Sequence, residues 1–597
     1  MDELTTEVLV VGGGTGGTAA ALQAARRGVQ TVLVSEHSWL GGMLTSAGVA
    51  APDGNELLAF QTGLWGAFLR ELQHRQPQGL DHGWVSFFTY DPRIGAEIFA
   101  DWAQALPNLQ WIVGGAPLAV GRRDDRLTYV QFAHLRVYAH LILDGTELGE
   151  VLALGEVPHR WGWEWQAEWG EPSAPVAANE LTQRYPVQVP TWVVILQDVG
   201  EGNSAPAIPP PPIHTPEKFA GAWEQYGAET FLNYGRLPGD RFMINWPIHG
   251  NDYGEGIDRL LQSPQAAAEF LQESLWHSQS FACHIQTQLG RRYGLADIFP
   301  HALSAYALHP YYRESRRLQG VTTIREQDIL PMPQGRVAAL PLDATGSVQA
   351  IALGNYANDH HYPNYDLPLT SKSIRWGGRW TGTPFTIPYG ALIPATVDGL
   401  LVCEKNIAVS HIANGATRLQ PTVLGIGQAA GMAAALCIER RCQPRELPVR
   451  LLQDALLTDP LAPLAVIPLF NLPPYHPQWL TWQQYYLDHP DAYPPDGNAP
   501  IAAQPSSPTL TTQAWDQDWT GVFHRHGEQH YTITLQRPHR LTVGTLALVT
   551  LRNEVDNQLA RLTTGQRISV QGRYNPSGNW LLVEAINVLP ENSSSLS

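Results

Sequence analysis

The sequence predicts an α/β fold: a doubly wound, Rossmann-like nucleotide-binding domain split by a large insertion and followed by a small all-β, barrel-like module. Three observations predict it. Residues 8–36 run as apolar strand, glycine turn, alanine-rich helix, second strand and acid. The strand-then-helix pattern returns at residues 400–436, after a long stretch of different composition. Residues 516–592 hold short apolar or alternating runs between turn signals.

Val8, Leu9, Val10 and Val11 form a continuous apolar run, as a buried parallel strand does. Gly12, Gly14 and Gly17 then fall on the G-x-G-x-x-G spacing. Gly12 allows the tight turn, Gly14 lets backbone approach a pyrophosphate, and Gly17 lets helix and strand pack closely. The helix that follows closes at Gly28, and its N-terminus turns unpaired N–H groups and a positive dipole end toward phosphate. A second strand over 30–35 ends at Glu36, about 20 residues after the turn, where an acid can accept from a ribose diol. Residues 1–155 are thus expected to form the first part of the nucleotide-binding domain. Residues 156–385, with Pro209 to Pro212, many aromatics and a helix over 266–289, read as the substrate-binding insertion. Residues 386–455 return to the first domain, and Thr422 is the expected N-cap of a small-residue helix over 423–436. The proline and small polar residues of 456–515 suit a linker, and 516–592 form the β module.

The formal charge of −17 argues against nucleic acid or an anionic membrane as partner, since either requires a basic face. Lysine occurs only at Lys218, Lys372 and Lys405, so there is no polybasic tract. Cys283, Cys403, Cys437 and Cys442 have no metal-ligand spacing and read as thiols of a reducing compartment. The N-terminal apolar residues belong to the first strand rather than to a signal segment, and no run approaches the ~18 apolar residues of a membrane span. A cytoplasmic location is therefore expected. The tryptophans, several of them at Trp161, Trp163, Trp165 and Trp169, are first of all packing residues, with an aromatic-substrate platform as the alternative.

These pieces, with Trp39 to Ser46, Leu143 to Leu148, Asn245 to Tyr253, Arg313 to Arg317, Tyr356 to His361, Ile387 to Pro394 and Asn414 to Leu436, resemble the FAD-dependent oxidoreductase family of the glutathione-reductase-type flavin fold. The resemblance covers roughly residues 5–440. It implies bound FAD. Gly12, Gly14, Thr15, Gly16 and Gly17 would hold the pyrophosphate and Glu36 the adenosine ribose. His37 directly follows that acid and joins the cofactor set, though too far along the loop for the flavin ring. Gly41, Gly42, Met43 and Leu44 look like the loop along the flavin, Leu118 would offer backbone to adenine, and Thr146 closes over the cofactor. Glu404 would take the ribityl chain, and the helix end at Thr422 and Val423 the isoalloxazine edge. The run Asn414 to Leu419 is also distantly similar to fumarate reductase flavoproteins, but Asn414 stands where they carry a substrate-binding histidine, which weakens a dicarboxylate assignment. The loop over 43–49 contains no histidine for covalent attachment, so FAD is expected to be non-covalent.

A flavin carries the redox chemistry while protein groups orient the substrate and manage a proton. The candidates are Arg418, His249, His361 and His411, with Arg313 behind them. Arg418 precedes the flavin-facing helix and could clamp an anion or pair with a structural carboxylate. His249 lies in a turn-rich loop near Asp252 and Tyr253, with a pKa range suited to proton transfer. His361 follows Asp359 and His360, so a carboxylate could orient its ring or merely cap a turn. His411 is as easily a packed core histidine. No cysteine or histidine set has zinc-ligand spacing, and no P-loop is present. The expected function is hydride transfer between a small organic substrate and FAD. The alternatives are a non-catalytic flavin- or dinucleotide-binding scaffold whose β module recruits a protein partner, and a turn kept for NAD. With no second glycine fingerprint, a quinone, a carrier protein or oxygen is the better guess for the electron acceptor.

Overall fold

The computed structural model describes residues 1–501, 518–535 and 544–590. β1 (Asp2–Val11) leads through the glycine turn into α1 (Thr15–Arg26) and β2 (Thr31–Ser35). After α2 (Gly63–Arg75) come β3 (Leu109–Val113), β4 (Ala119–Arg123), β5 (Arg126–Gln131) and β6 (Leu135–Asp144). The sheet runs β3-β2-β1-β6-β5-β4, parallel through β6 and antiparallel beyond it. Val8 to Val11 are buried on both faces by the helices of a doubly wound fold.

Residues of the insertion build their own small sheet and core. β7 (Val194–Asp198), β8 (Arg236–Leu237), β9 (Arg241–Ile244), α3 (Pro264–Leu289) and β10 (Tyr293–Leu295) follow in sequence, and the strands order antiparallel as β10-β7-β9-β8. Val194, Leu196, Phe242, Phe281 and Ile285 form a core separate from the main one. Leu318, Ile324 and Val348 pack into the main core instead, as does β11 (Ala350–Asn355), which pairs with β12 (Pro384–Pro388). The separately cored part is therefore narrower than the 156–385 read from composition.

β13 (Leu400–Val402) then joins the main sheet, pairing parallel with the C-terminal half of β6. α4 (His411–Thr417) and α5 (Gln420–Arg440) follow. α5 is long and apolar enough to cross a membrane, but 94% of that window is buried inside the protein, where it packs on α1 as a core helix. The crossing needs glycine: a Cβ on Gly427 would lie 2.1 Å from Gly16 O, and one on Gly431 2.2 Å from Ala20 O. α5 begins at Gln420 with Leu419 as N-cap and Pro421 in its first turn, so Thr422 lies inside the helix rather than capping it.

The linker expected over 456–515 is corrected over its described part. Ala462, Leu464, Val466, Ile467 and Phe470 are core residues, and α6 (Trp479–Asp488) packs beside them. Gln483 of α6 accepts from the amides of Val466 and Ile467 and donates to Ile467 O. The prolines stiffen an extended strap whose apolar side chains are buried; composition registers the prolines and not the packing. Residues 502–515, including Pro505 and Pro508, lie outside the described residues.

The β module is a closed barrel, as the alternating runs predict: β14 (Asp518–Gly527), β15 (His530–Leu535), β16 (Thr545–Val549), β17 (Arg567–Asn575) and β18 (Trp580–Val588), in the order β14-β15-β16-β18-β17. It is bonded to the body. Asn575 Nδ2 and Trp580 Nε1 donate to the two oxygens of Asp81 at 2.5 and 3.1 Å, and Leu58 N donates to Leu551 O at 3.0 Å.

Candidate active site

The glycine turn opens a cavity of about 370 Å³ at the C-terminal edge of the parallel strands. Gly12 to Gly14, Glu36, His37, Gly115 to Pro117, Thr146 and Glu147 are in its wall. Gly12 has φ +102°, and a Cβ there would lie 2.3 Å from Gly145 O, so a side chain fails on both conformation and space. Thr15 Oγ1 donates to Gly41 O at 2.8 Å, tying the turn to the loop of Gly41 and the single helical turn Gly42–Leu44. Gly16 N, at the start of α1, donates to Glu404 Oε2 at 2.7 Å, so a carboxylate already sits where the dipole favours an anion. Lys405 Nζ bridges Glu147 and Glu404 at 2.5 and 3.0 Å. Burial, only partly offset by Lys405, pushes Glu404 up to about 7. Thr146 Oγ1 donates to Asp144 at 2.6 Å and accepts from Glu150 N, fixing the lip of the cavity. His37 stacks on His309 with ring centroids 4.7 Å apart, and burial lowers both rings, His309 to about 4. Leu118 lies beside this cavity wall. Its amide is spent on Gln131 O and its side chain is exposed, while Gly115, Ala116 and Pro117 supply the cavity wall.

A second cluster gathers from distant parts of the chain. An inner chamber of about 40 Å³ is lined by Arg313, Asp359, His361, Arg418, Tyr311 and Asp53 among others. It shares Asp53, Val85 and Tyr356 with an outer chamber of about 220 Å³. Val49 and Ala51, just beyond the Gly41 to Leu44 loop, and Leu419 and Gln420, at the start of α5, bound the inner chamber. Arg418 Nη1 donates to Tyr311 Oη at 2.5 Å and Nη2 to Asp359 Oδ2 at 3.2 Å. His361 stands between Asp252 and Asp359, 2.9 Å from each. Arg313 closes the chain on Asp252 at 3.1 Å, with its guanidinium 4.8 Å from the Tyr311 ring centre. Burial would raise Asp359, but His361 and Arg418 outweigh it and hold the carboxyl below its usual range. Asp53 behaves oppositely. Burial, then the Glu56 carboxylate, push it well above its usual range, and it makes no hydrogen bond or ion pair among the described residues.

Of the four histidine and arginine candidates, the chamber brings together Arg418 and His361. His249 is exposed in its loop at φ +46°, outside both chambers. His411 is fully buried, with Nδ1 on Glu314 at 2.9 Å and Nε2 on the Tyr362 hydroxyl at 2.5 Å, and it lines neither chamber. Sequence reasoning missed Asp53, Tyr311 and Lys405. Asp53 hides in a Pro-Asp-Gly stretch that reads as a turn, whereas Lys405 could have been noticed as a rare lysine beside the expected ribityl acid.

A family profile described as FAD dependent oxidoreductase matches residues 7–456, three quarters of the chain. The chain belongs to this family. Its cofactor is FAD. No curated protein matches the sequence. Among solved structures, GidA of Aquifex aeolicus is similar at 16% identity over 24% of this chain and 25% of its own, with a TM-score of 0.16. The p-nitrophenol 4-monooxygenase PnpA of Pseudomonas putida DLL-E4 matches at 14% identity over 33% of this chain and 48% of its own, TM-score 0.20. The flavin-dependent brominase Bmp2 matches at 12% over 33% and 47%, TM-score 0.22. This chain thus spans less than half of each of these proteins.

The residues present in this FAD-dependent oxidoreductase fit the cofactor. The glycine turn clears space beside a helix N-terminus, and Glu36 stands in the cavity wall at the end of β2. Buried acceptors without hydrogen-bond partners among the described residues are left along the same region: Glu147 Oε1 beside the turn, and Gln420 Oε1 and Thr422 Oγ1 at the start of α5. Buried polar atoms are normally paired, so such a set suits a hydroxyl- and amide-rich ligand. Among the described residues no group of three or more His, Cys, Asp or Glu side chains is arranged to hold a metal.

Proposed function

We propose that this oxidoreductase transfers a hydride between a small polar organic substrate in the inner chamber and non-covalently bound FAD. FAD, when bound, accepts or returns the two electrons of the reaction. The reading is carried by the convergence of Arg418, Arg313, His361 and Tyr311 on one chamber bounded by Val49 and Ala51 on one side and by Leu419 and Gln420 at the start of α5 on the other. Arg418 and Arg313 orient the substrate's polar groups. Their charges are already met by Asp359 and Asp252, so the chamber favours a hydroxyl-bearing, uncharged substrate over a dicarboxylate. His361 has both ring nitrogens on carboxylates and acts by positioning them. Asp53, which makes no hydrogen bond or ion pair among the described residues, is the group that exchanges a proton with the substrate hydroxyl. Val49, Ala51, Val85 and Met243 form the apolar wall that excludes water.

The test is anaerobic mixing of the flavin-loaded protein with a panel of secondary alcohols and hydroxy acids, following loss of the visible flavin band. Bleaching by an uncharged alcohol, slowed by deuterium on the carbon and abolished by Arg418→Ala with flavin content intact, is expected. Bleaching that Arg418→Ala leaves unchanged would place the substrate elsewhere.

A further inference from the structure

Where the barrel meets the body there is a cavity of about 430 Å³, larger than the nucleotide cavity and separate from both chambers. Roughly 300–1,000 Å³ is the range of small-molecule sites, which favour domain interfaces. Its walls are apolar on both sides of the seam: Leu69, Phe87 and Phe88 from the body, Leu551 and Leu582 from the barrel. Three guanidiniums, those of Arg70, Arg552 and Arg573, reach its rim. In a chain of net charge −17 that is an unusual local balance. Arg552 is matched by Glu554 and Glu584, and Asp81 by the Asn575 and Trp580 donors. Arg70, on α2, is exposed at the cavity rim and makes no ion pair or hydrogen bond among the described residues.

We propose that this seam cavity is a second ligand site, for a small amphipathic monoanion with a compact apolar body. The anionic end meets Arg70, and the body lies on Phe88, Leu69 and the barrel's Leu582. A guanidinium with no internal partner gains a charge-assisted hydrogen bond from such a ligand without breaking an existing pair. The site also lies close to the chambers along the chain. Phe87 lines the cavity while Val85, two residues earlier, lines both chambers, and the Arg379 guanidinium of the outer chamber lies 4.4 Å from the Phe87 ring centre.

Calorimetric titration of the full flavin-loaded chain with 4-phenylbutyrate tests the site, with the uncharged 4-phenylbutan-1-ol as comparison. One 4-phenylbutyrate per chain is expected, weakened at least about tenfold by Arg70→Ala and further by Arg70→Glu, with the alcohol binding at least about tenfold more weakly than the acid. Arg70 is exposed, so both variants should fold, and their melting temperatures check this. Arg418→Ala separates the two sites: binding lost in that variant but kept in Arg70→Glu would put the acid in the substrate chamber and overturn the proposal. Absence of binding, or binding that Arg70→Glu leaves unchanged, overturns it equally.

Discussion

Arg418 and His361 share one carboxylate oxygen: Asp359 Oδ2 accepts from Arg418 Nη2 at 3.2 Å and from His361 Nε2 at 2.9 Å. Asp252 then links His361 to Arg313, so three cationic or imidazole side chains are threaded on two carboxylates. Hydrogen bonds of this kind set orientation as well as charge, because each partner's remaining N–H groups are aimed by the ones already used. In Arg418 the Tyr311 and Asp359 contacts fix the plane of the guanidinium at the chamber wall.

Arg418→Lys keeps the charge and loses that plane, because one ammonium cannot reach both Tyr311 and Asp359 in the same way. Flavin content should stay near that of the parent. The rate of substrate-driven flavin reduction should fall about 10- to 100-fold, equivalent to roughly 1.4–2.7 kcal/mol of transition-state stabilisation. Stopped-flow reduction of the loaded variant measures it.

The glycine turn was legible in the sequence because its logic is local: Gly12, Gly14 and Glu36 act through spacing along one strand–helix–strand unit. The chamber was legible only in fragments. Asp252, Asp359 and Arg418 come from three stretches that the fold alone brings together, so Arg418 and His361 could be nominated but their shared carboxylate could not be read. Residue type misled at Thr422, where Pro421 in the first turn marks the helix start better than the neighbouring hydroxyl does. His249 and His411, whose imidazoles are chemically suited to catalysis, lie outside the two chambers. At Leu118 the strand pairing with Gln131 takes the amide, and the preceding turn of Gly115 to Pro117 meets the cavity.

Lys405→Met should empty the nucleotide cavity of flavin. Lys405 is fully buried between Glu147 and Glu404, and its removal leaves two carboxylates beside the glycine turn without a cation. Breaking a buried pair from one side costs about 3–5 kcal/mol, so the melting temperature should fall together with flavin content. The double variant Lys405→Met/Glu404→Gln removes one of the stranded charges, and it should recover part of the stability lost by the single substitution. A double-mutant cycle by calorimetry reads the coupling.

His411→Asn separates a structural histidine from a catalytic one. The imidazole links Glu314 to Tyr362 behind the chamber and packs on Trp163 with ring centroids 3.9 Å apart. Loss of these buried bonds should cost about 1–3 kcal/mol of stability. Flavin reduction should stay within about threefold of the parent, since no chamber contact is removed.

Asp81 ties barrel docking to pH. Burial, only partly offset by the Asn575 and Trp580 donors, pushes its carboxyl from 3.8 up to about 7. Between those values the folded chain holds a proton that the unfolded chain has released, so this group's contribution to stability is full below about pH 4 and is lost as pH rises toward 7. The shift of about three units bounds the effect at roughly 4 kcal/mol. In Asp81→Asn the slope of melting temperature against pH over that window should be shallower than in the parent, measured by scanning calorimetry at several pH values.

Asp53→Asn addresses proton transfer in the chamber. Asp53 stands at the neck between the inner and outer chambers, facing Glu56, Arg379, Asp359 and Arg418, with the hydroxyls of Tyr234 and Tyr356 nearby. Burial and Glu56 favour its neutral form over the pull of the two arginines, so its titration lies above the ordinary carboxylate range. As the acceptor of a substrate hydroxyl proton it must be ionised. Flavin reduction by an alcohol should therefore accelerate as pH rises through that raised value, then level off. Asp53→Asn should abolish the limb and slow reduction about 10²-fold or more, the usual worth of a positioned base, while Asp53→Glu restores a limb at a shifted pH. A pH limb that persists in Asp53→Asn would assign the proton to another group, and the buried Tyr356 hydroxyl at the same neck would be the next one to replace.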